Sequence, residues 1–273
     1  MSCASSTRGI HMENYKTDFD NLWNYSKPAD TREKFQSLLG NSKDLDYELQ
    51  LQTQIARTHS LSGEFKEAHE ILDKVEAQLN QKTMIAKIRF LLERGRTFNS
   101  SGDKEKAEEL FKSAFKLSDE IGTMKYTIDA VHMIAIAVGT IEEKVDWVEK
   151  GVEIARSSDS EKIKSWEGIF YNNIGWDLFD EKRYEDALEK FKKCADFHKV
   201  HGNKEGHDIA LWSIAKTYRY LGKVDEALNI QEGLLDASNG VDESGYVFEE
   251  LSELYSLKGN DAKAQEYRAK IKR

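Results

Sequence analysis

Proline occurs once in the 273 residues, at Pro28. So few helix breakers, in a chain of which 33% is charged, give the composition of an all-helical protein. Cysteine is nearly as scarce. Cys3 and Cys194 are the two present, and neither their number nor their spacing fits a disulfide framework or a zinc site. No apolar run approaches the roughly 18–20 residues that a membrane-crossing helix needs, so no membrane contact is expected. Met1 to His11 lack the apolar stretch of a secretory signal, and a cytoplasmic protein is the plain reading. Positive charge is in deficit as well. With 40 Lys and Arg against 49 Asp and Glu, the formal net charge is −9. That balance gives no support to binding a phosphate backbone, and nucleic acid is not an expected partner.

Signatures of chemistry are missing too. The chain holds no Gly-rich phosphate loop, no G-x-S-x-G elbow, no H-E-x-x-H and no suggestive Cys–His pairing. Acidic pairs such as Glu108-Glu109, Glu142-Glu143 and Glu249-Glu250 read as solvated helix faces. His198, His201 and His207 cluster, and an i, i+3 pair of histidines can ligate a metal given a third donor. Basic residues at a fraying helix end also suit its negative dipole, and that is the expected role. His132 reads as a packing residue, and Cys194 as a small residue in a helix contact. No catalytic residue, metal ligand or cofactor is therefore assigned, and no enzyme is expected.

What the sequence does have is repetition at a spacing of about forty residues. The clearest copy runs Tyr171-x-x-Ile174-Gly175-x-x-Leu178 and then Tyr184-x-x-Ala187-x-x-x-Phe191-x-x-Cys194. It returns as Leu91…Arg94-Gly95…Phe98 with Ala107…Phe111…Ala114, and as Leu211…Ile214-Ala215…Tyr218 with Ala227 and Leu234. Self-similarity at such a period means that each unit buries its apolar face against its neighbours rather than around one central core. Hairpin turns fall at Gly63, Gly102, Gly139, Lys182, Gly222 and Gly259, where the first helix of a pair must end in a left-handed conformation. Just past five of them comes a small residue, Ala68, Ala107, Ala187, Ala227 or Ala264, that lets two helices approach to about 8–10 Å.

These residues resemble the tetratricopeptide repeat family, whose unit is a helix–turn–helix with the pattern W-x2-L-G-x2-Y…A-x3-F…P. The resemblance covers roughly residues 46–273. It weakens around Gly139, where Lys144 stands in the alanine position and His132 in that of a glycine or alanine. The inter-unit proline is absent and the period is longer than the family's, so the chain is similar to the long-repeat type of bacterial peptide-sensing regulators. It is also similar to uncharacterised bacterial cytoplasmic proteins built wholly of such repeats. The resemblance implies an all-α, right-handed superhelix of about six helix pairs. Residues 45–273 form it. Residues 12–44 form a short helical cap, with Phe19, Leu22, Trp23 and Tyr25 before Pro28, then a capping-box start at Asp30-x-x-Glu33 for a helix from Thr31 to Leu39. Residues 1–11 read as a vector-derived tail, because His11-Met12 looks like a cloning scar.

In this family the first helix of each pair lines the concave surface. Carried over, that places Arg57, Arg89, Arg96, Asn172, Trp176, Phe179, Trp212, Lys216 and Arg219 on a groove, with Tyr246, Glu249 and Glu253 at its end. Arginine and tryptophan are frequent binding hot spots. The amide of Asn172 or Asn173 offers both a donor and an acceptor to an extended backbone. The implied function is a non-catalytic scaffold or adaptor for a protein or peptide partner. The alternatives are a regulatory sensor whose pitch changes on binding a peptide, and an enzyme that uses the groove as a cleft.

Overall fold

The computed structural model describes residues 18–238 and 245–271. The tail expected at residues 1–11, with Cys3 in it, and the start of the cap lie outside the described residues. Those described are helical apart from turns and short links, with no β-strand among them. A 3-10 turn at Asp18–Leu22 precedes α1 (Pro28–Leu38), α2 (Leu45–Leu61), α3 (Phe65–Glu76), α4 (Met84–Ser101), α5 (Lys104–Glu120) and α6 (Met124–Ala137). There follow α7 (Ile141–Ser157), α8 (Glu161–Lys164), α9 (Trp166–Asp180) and α10 (Tyr184–Val200). The last four are α11 (Lys204–Tyr220), α12 (Val224–Ala237), α13 (Tyr246–Leu257) and α14 (Asp261–Lys270). The chain divides into two compact units between Val138 and Gly139.

Within each unit the helices pack in sequential pairs, in the manner of a tetratricopeptide superhelix. In the first, α2 pairs with α3 and α4 with α5, while α6 packs on α5. In the second, α9 pairs with α10, α11 with α12 and α13 with α14, and α7 packs on α9. The small residues set how close the partners come. Ala68, Ala107, Ala187 and Ala227 have no exposed surface. A Cβ on Gly95 would lie 2.5 Å from the ring of Phe111, and one on Gly175 would lie 2.5 Å from the ring of Phe191. Each glycine is thus the floor on which a phenylalanine of the partner helix rests, and burying each ring contributes about 1.5–3 kcal/mol.

Five of the expected hairpin turns form in the left-handed region, four at glycine and one at Lys182, where φ is 61°. An L-residue there costs roughly 1–2 kcal/mol, a cost the packing of α9 on α10 offsets. The sixth does not form. Gly139 stays out of the left-handed region, and its neighbours Val138 and Thr140 are extended, with ψ of 149° and 151°. Thr140 opens α7 through a capping box with Glu143. Lys144 stands where four of the other pairs have a fully buried alanine. It reaches Asp177 of α9 instead, at 2.7 Å.

The cap departs from expectation in its register. Pro28 does not merely close the preceding segment but is the first residue of α1, where its missing N–H and fixed φ cost nothing. Asp30 lies in the first turn and no side chain caps the helix. Thr31 is buried, and its Oγ1 accepts from the N–H of Asn24 at 3.0 Å.

Candidate functional site

In the second unit three first helices present one stripe each. Residues three and four apart share a helix face, which puts Ile169, Asn172 and Trp176 together on α9. The same rule aligns Ile209, Trp212, Lys216 and Arg219 on α11, and Tyr246 and Glu250 on α13. The stripes meet through aromatic rings. The ring centroids of Trp176 and Trp212 are 5.9 Å apart, and those of Trp212 and Tyr246 are 5.8 Å apart. Trp212 Nε1 donates to the carbonyl of Tyr246 at 3.2 Å. Trp176 is backed by Phe179 and Phe191 at 5.3 and 5.0 Å, so the ladder stands on the core.

At one end of the ladder the side chains stay in water: Ile169, Ile209 and Tyr246 are 40%, 51% and 60% exposed. A shallow cleft lined by Lys204, Glu205, Asp208, Ile209 and Tyr246 opens beside them. At the other end charge is consumed internally. Arg219 binds the carboxylate of Glu250 through Nε at 2.7 Å and Nη2 at 2.9 Å. Lys216 lies 3.6 Å from the same carboxylate and 4.8 Å above the ring of Trp212. The Glu250 bonds, with burial opposing them, hold the Arg219 guanidinium above its usual pKa. It is Glu250, not the exposed Glu249, that faces α11. Between the ends sits Asn172. Its Nδ2 makes only a long 3.5 Å contact with Oδ1 of Asn173, and its own buried Oδ1 has no partner.

The first unit places Arg57 on α2 and Arg89 and Arg96 on α4, and every one is paired. Glu93 receives Arg57 at 3.0 Å and Arg96 at 2.8 Å, while Gln54 donates to it at 3.2 Å. Arg96 also binds Asp129 of α6 at 2.5 Å. Burial acting alone raises the Asp129 carboxyl; Arg96 more than reverses that and holds it low. Arg89 is buried, paired with Asp20 at 2.7 Å, and donates to the Tyr126 hydroxyl at 2.9 Å. The three arginines that the sequence placed on the groove are therefore part of neutralised ion pairs. The carboxylates that neutralise them were missed, although the i, i+3 spacing of Glu93 and Arg96 signalled one pair.

The remaining candidates are structural. Among the described residues no group of three His, Cys, Asp and Glu is placed to hold a metal. His198 is wedged between Gly168 of α9 and Gly206 of α11, where a Cβ on either would lie 2.8 or 2.7 Å from its ring. Burial, with His201 and His207 nearby, lowers its pKa. Half-buried His132 is lowered for the same first reason. Cys194 contacts the carbonyl of Gly168 at 3.4 Å, and burial pushes its thiol up to about 11. No described helix is long and apolar enough to cross a membrane.

A family model of the tetratricopeptide repeat matches residues 88–120, the stretch formed by α4 and α5. No functionally curated protein matches the chain in sequence. Solved structures share the fold. The apo form of RapI is 16% identical, with a TM-score of 0.75 over 93% of this chain and 72% of that one. The C-terminal part of a tetratricopeptide-repeat protein from Cytophaga hutchinsonii is 18% identical, with a TM-score of 0.58 over 93% and 91%. A signal-transduction ATPase with numerous domains and a tetratricopeptide repeat sensor, from Pyrococcus horikoshii, is 13% identical with a TM-score of 0.70. The match covers 90% of this chain and 39% of that ATPase. At these identities the likeness is one of fold.

Proposed function

We propose that this tetratricopeptide-repeat protein is a non-catalytic scaffold or adaptor, holding a protein or peptide partner on the first-helix face of its second unit. The observation that carries this reading is the ladder Trp176–Trp212–Tyr246, with Ile169 and Ile209 in water beside it. Large rings on rigid helices lose little entropy on binding, and aromatic anchors dominate interface energies. A partner segment with apolar side chains fits the exposed end. The side-chain amide of Asn172, half-buried on the same stripe, offers a donor and an acceptor to the backbone of an extended chain once it rotates outward. Arg219 and Lys216 share Glu250, so the face selects by shape and apolar area more than by net charge. Arg57, Arg89 and Arg96 belong to this reading as the framework of the other unit rather than as contacts. A reducing compartment such as the cytoplasm suits a chain whose buried Cys194 is free.

Affinity capture from native cell extract tests the proposal with the parent and Trp212→Ala chains side by side. Losing an anchor of this kind costs about 2 kcal/mol, so proteins retained by the parent are expected to be depleted on the variant. Equal retention by both chains counts against the face.

A further inference from the structure

The first-helix face of the first unit is covered by the chain's own residues 19–25. Phe19 is 1% exposed and meets the rings of Phe35 and Tyr47 edge-on, at 5.9 and 5.4 Å. The next residue, Asp20, is clamped by Arg89 Nη2 of α4 and Lys125 Nζ of α6, each at 2.7 Å. Three residues on, Trp23 Nε1 donates to Gln54 Oε1 of α2 at 3.1 Å, and its ring stacks on Tyr25 at 4.8 Å. The Arg57 guanidinium covers both rings, at 6.0 and 5.8 Å. Burial by itself raises the Asp20 carboxyl, and the two cations outweigh it and hold it low.

Two features set this segment apart from ordinary core. Its polar contacts with α2, α4 and α6 run through side chains, and its backbone is tied at Asn24 to the Thr31 hydroxyl at the start of α1. The link that follows, Ser26-Lys27, is exposed. The segment can therefore leave without breaking a helix. What it would uncover is specific. Arg89, itself buried, lies 5.1 Å from the Phe19 ring and 5.3 Å from that of Tyr126, and Asp20 is the carboxylate that pairs both Arg89 and Lys125. A desolvated guanidinium between aromatic rings demands a carboxylate, and an uncompensated one is strongly unfavourable.

We infer that residues 19–25 are a resident ligand of the first unit, and that the face beneath them takes, in exchange, an external peptide segment of the same chemistry. That chemistry is an aromatic ring, a carboxylate on the next residue, and a second aromatic ring three residues after that. The tether presents the resident segment at an effective concentration of order mM, so an external segment enters only by outcompeting it. This inference concerns the first unit and does not rest on the reading of the second.

The test uses the full chain and a labelled peptide with the sequence of residues 17–27, followed by fluorescence anisotropy. Phe19→Ala with Asp20→Ala releases the resident segment. The doubly substituted chain is expected to bind the peptide at least about tenfold more tightly than the parent, and a peptide with Asp20→Asn is expected to lose at least about tenfold. Adding Arg89→Ala to the doubly substituted chain is expected to abolish binding. Equal weak binding by the parent and a doubly substituted chain that remains folded by circular dichroism overturns the inference. If the double substitution unfolds the chain, hydrogen exchange of the parent decides. Excess peptide is expected to deprotect residues 19–25 and leave α2 and α4 protected. Unchanged protection of 19–25 at excess peptide overturns the exchange.

Discussion

The carboxylate of Asp46 accepts the backbone N–H of Ala86 at 3.0 Å, so the start of α4 is capped by a residue 40 positions upstream, on α2. Thr83, the local N-cap residue, makes no capping bond of its own to α4. Gln50 also donates to Asp46, at 2.6 Å. Burial raises the Asp46 carboxyl in spite of these bonds, so its charge is held at some cost. Asp46→Ala is expected to lower stability by about 0.5–2 kcal/mol, the usual loss of a cap. Asp46→Asn keeps an acceptor without the charge and is expected to cost less. Chemical denaturation of the three chains checks the order.

Glu93 joins two helices through one carboxylate, and it is 4% exposed. Removing it strands Arg57 and leaves Arg96 with Asp129 as its carboxylate partner. Glu93→Ala is expected to cost about 3–5 kcal/mol, the penalty of unpairing a buried ion pair. Exposed Glu109 serves as the control, and Glu109→Ala is expected to leave the urea midpoint within error.

Gln231 stands where Phe111 and Phe191 stand in their pairs. Among the described residues it is fully buried, and neither its Nε2 nor its Oε1 has a partner. Leaving an amide unsatisfied costs on the order of 1–3 kcal/mol. Gln231→Met keeps the length of the side chain and removes both orphan atoms. It is expected to raise the apparent Tm by roughly 2–4 °C per kcal/mol recovered, as scanning calorimetry would show.

A pH dependence follows from the wedged His198. Its folded pKa lies below the ordinary 6.5, so the unfolded chain binds the proton more readily. The stability it supports is whole above the unfolded value and declines as pH falls through and below it. Melting between about pH 7 and pH 5 is expected to show a falling midpoint. His198→Gln is expected to flatten that decline but not abolish it, because His69 and His132 are lowered in the same direction, burial being the first cause in each.

Much of the fold was legible because its determinants are local. A glycine or Lys182 at a left-handed turn, and an alanine a few residues on, are readable in any single unit. The turn at Gly139 did not form, and Lys144 in the alanine position was a local sign of that in the sequence. Trp176, Trp212 and Tyr246 were found by their common phase on successive first helices. The phase on α13 slipped by one residue, so Glu249 was read in place of Glu250. Asp20 was missed outright: its partners Arg89 and Lys125 lie 69 and 105 residues away. Charge pairing over such distances leaves no pattern in composition or period.

Isothermal titration of a peptide, chosen by display selection on the parent chain, tests the central claim most directly. The parent, Trp212→Ala, Asn172→Ala and Lys199→Ala are titrated in turn, Lys199 being exposed on the second helix α10. If the ladder is the site, Trp212→Ala weakens binding by about 2 kcal/mol, Asn172→Ala weakens it by about 1 kcal/mol, and Lys199→Ala leaves it unchanged. Parent-like affinity in both Trp212→Ala and Asn172→Ala would contradict the account.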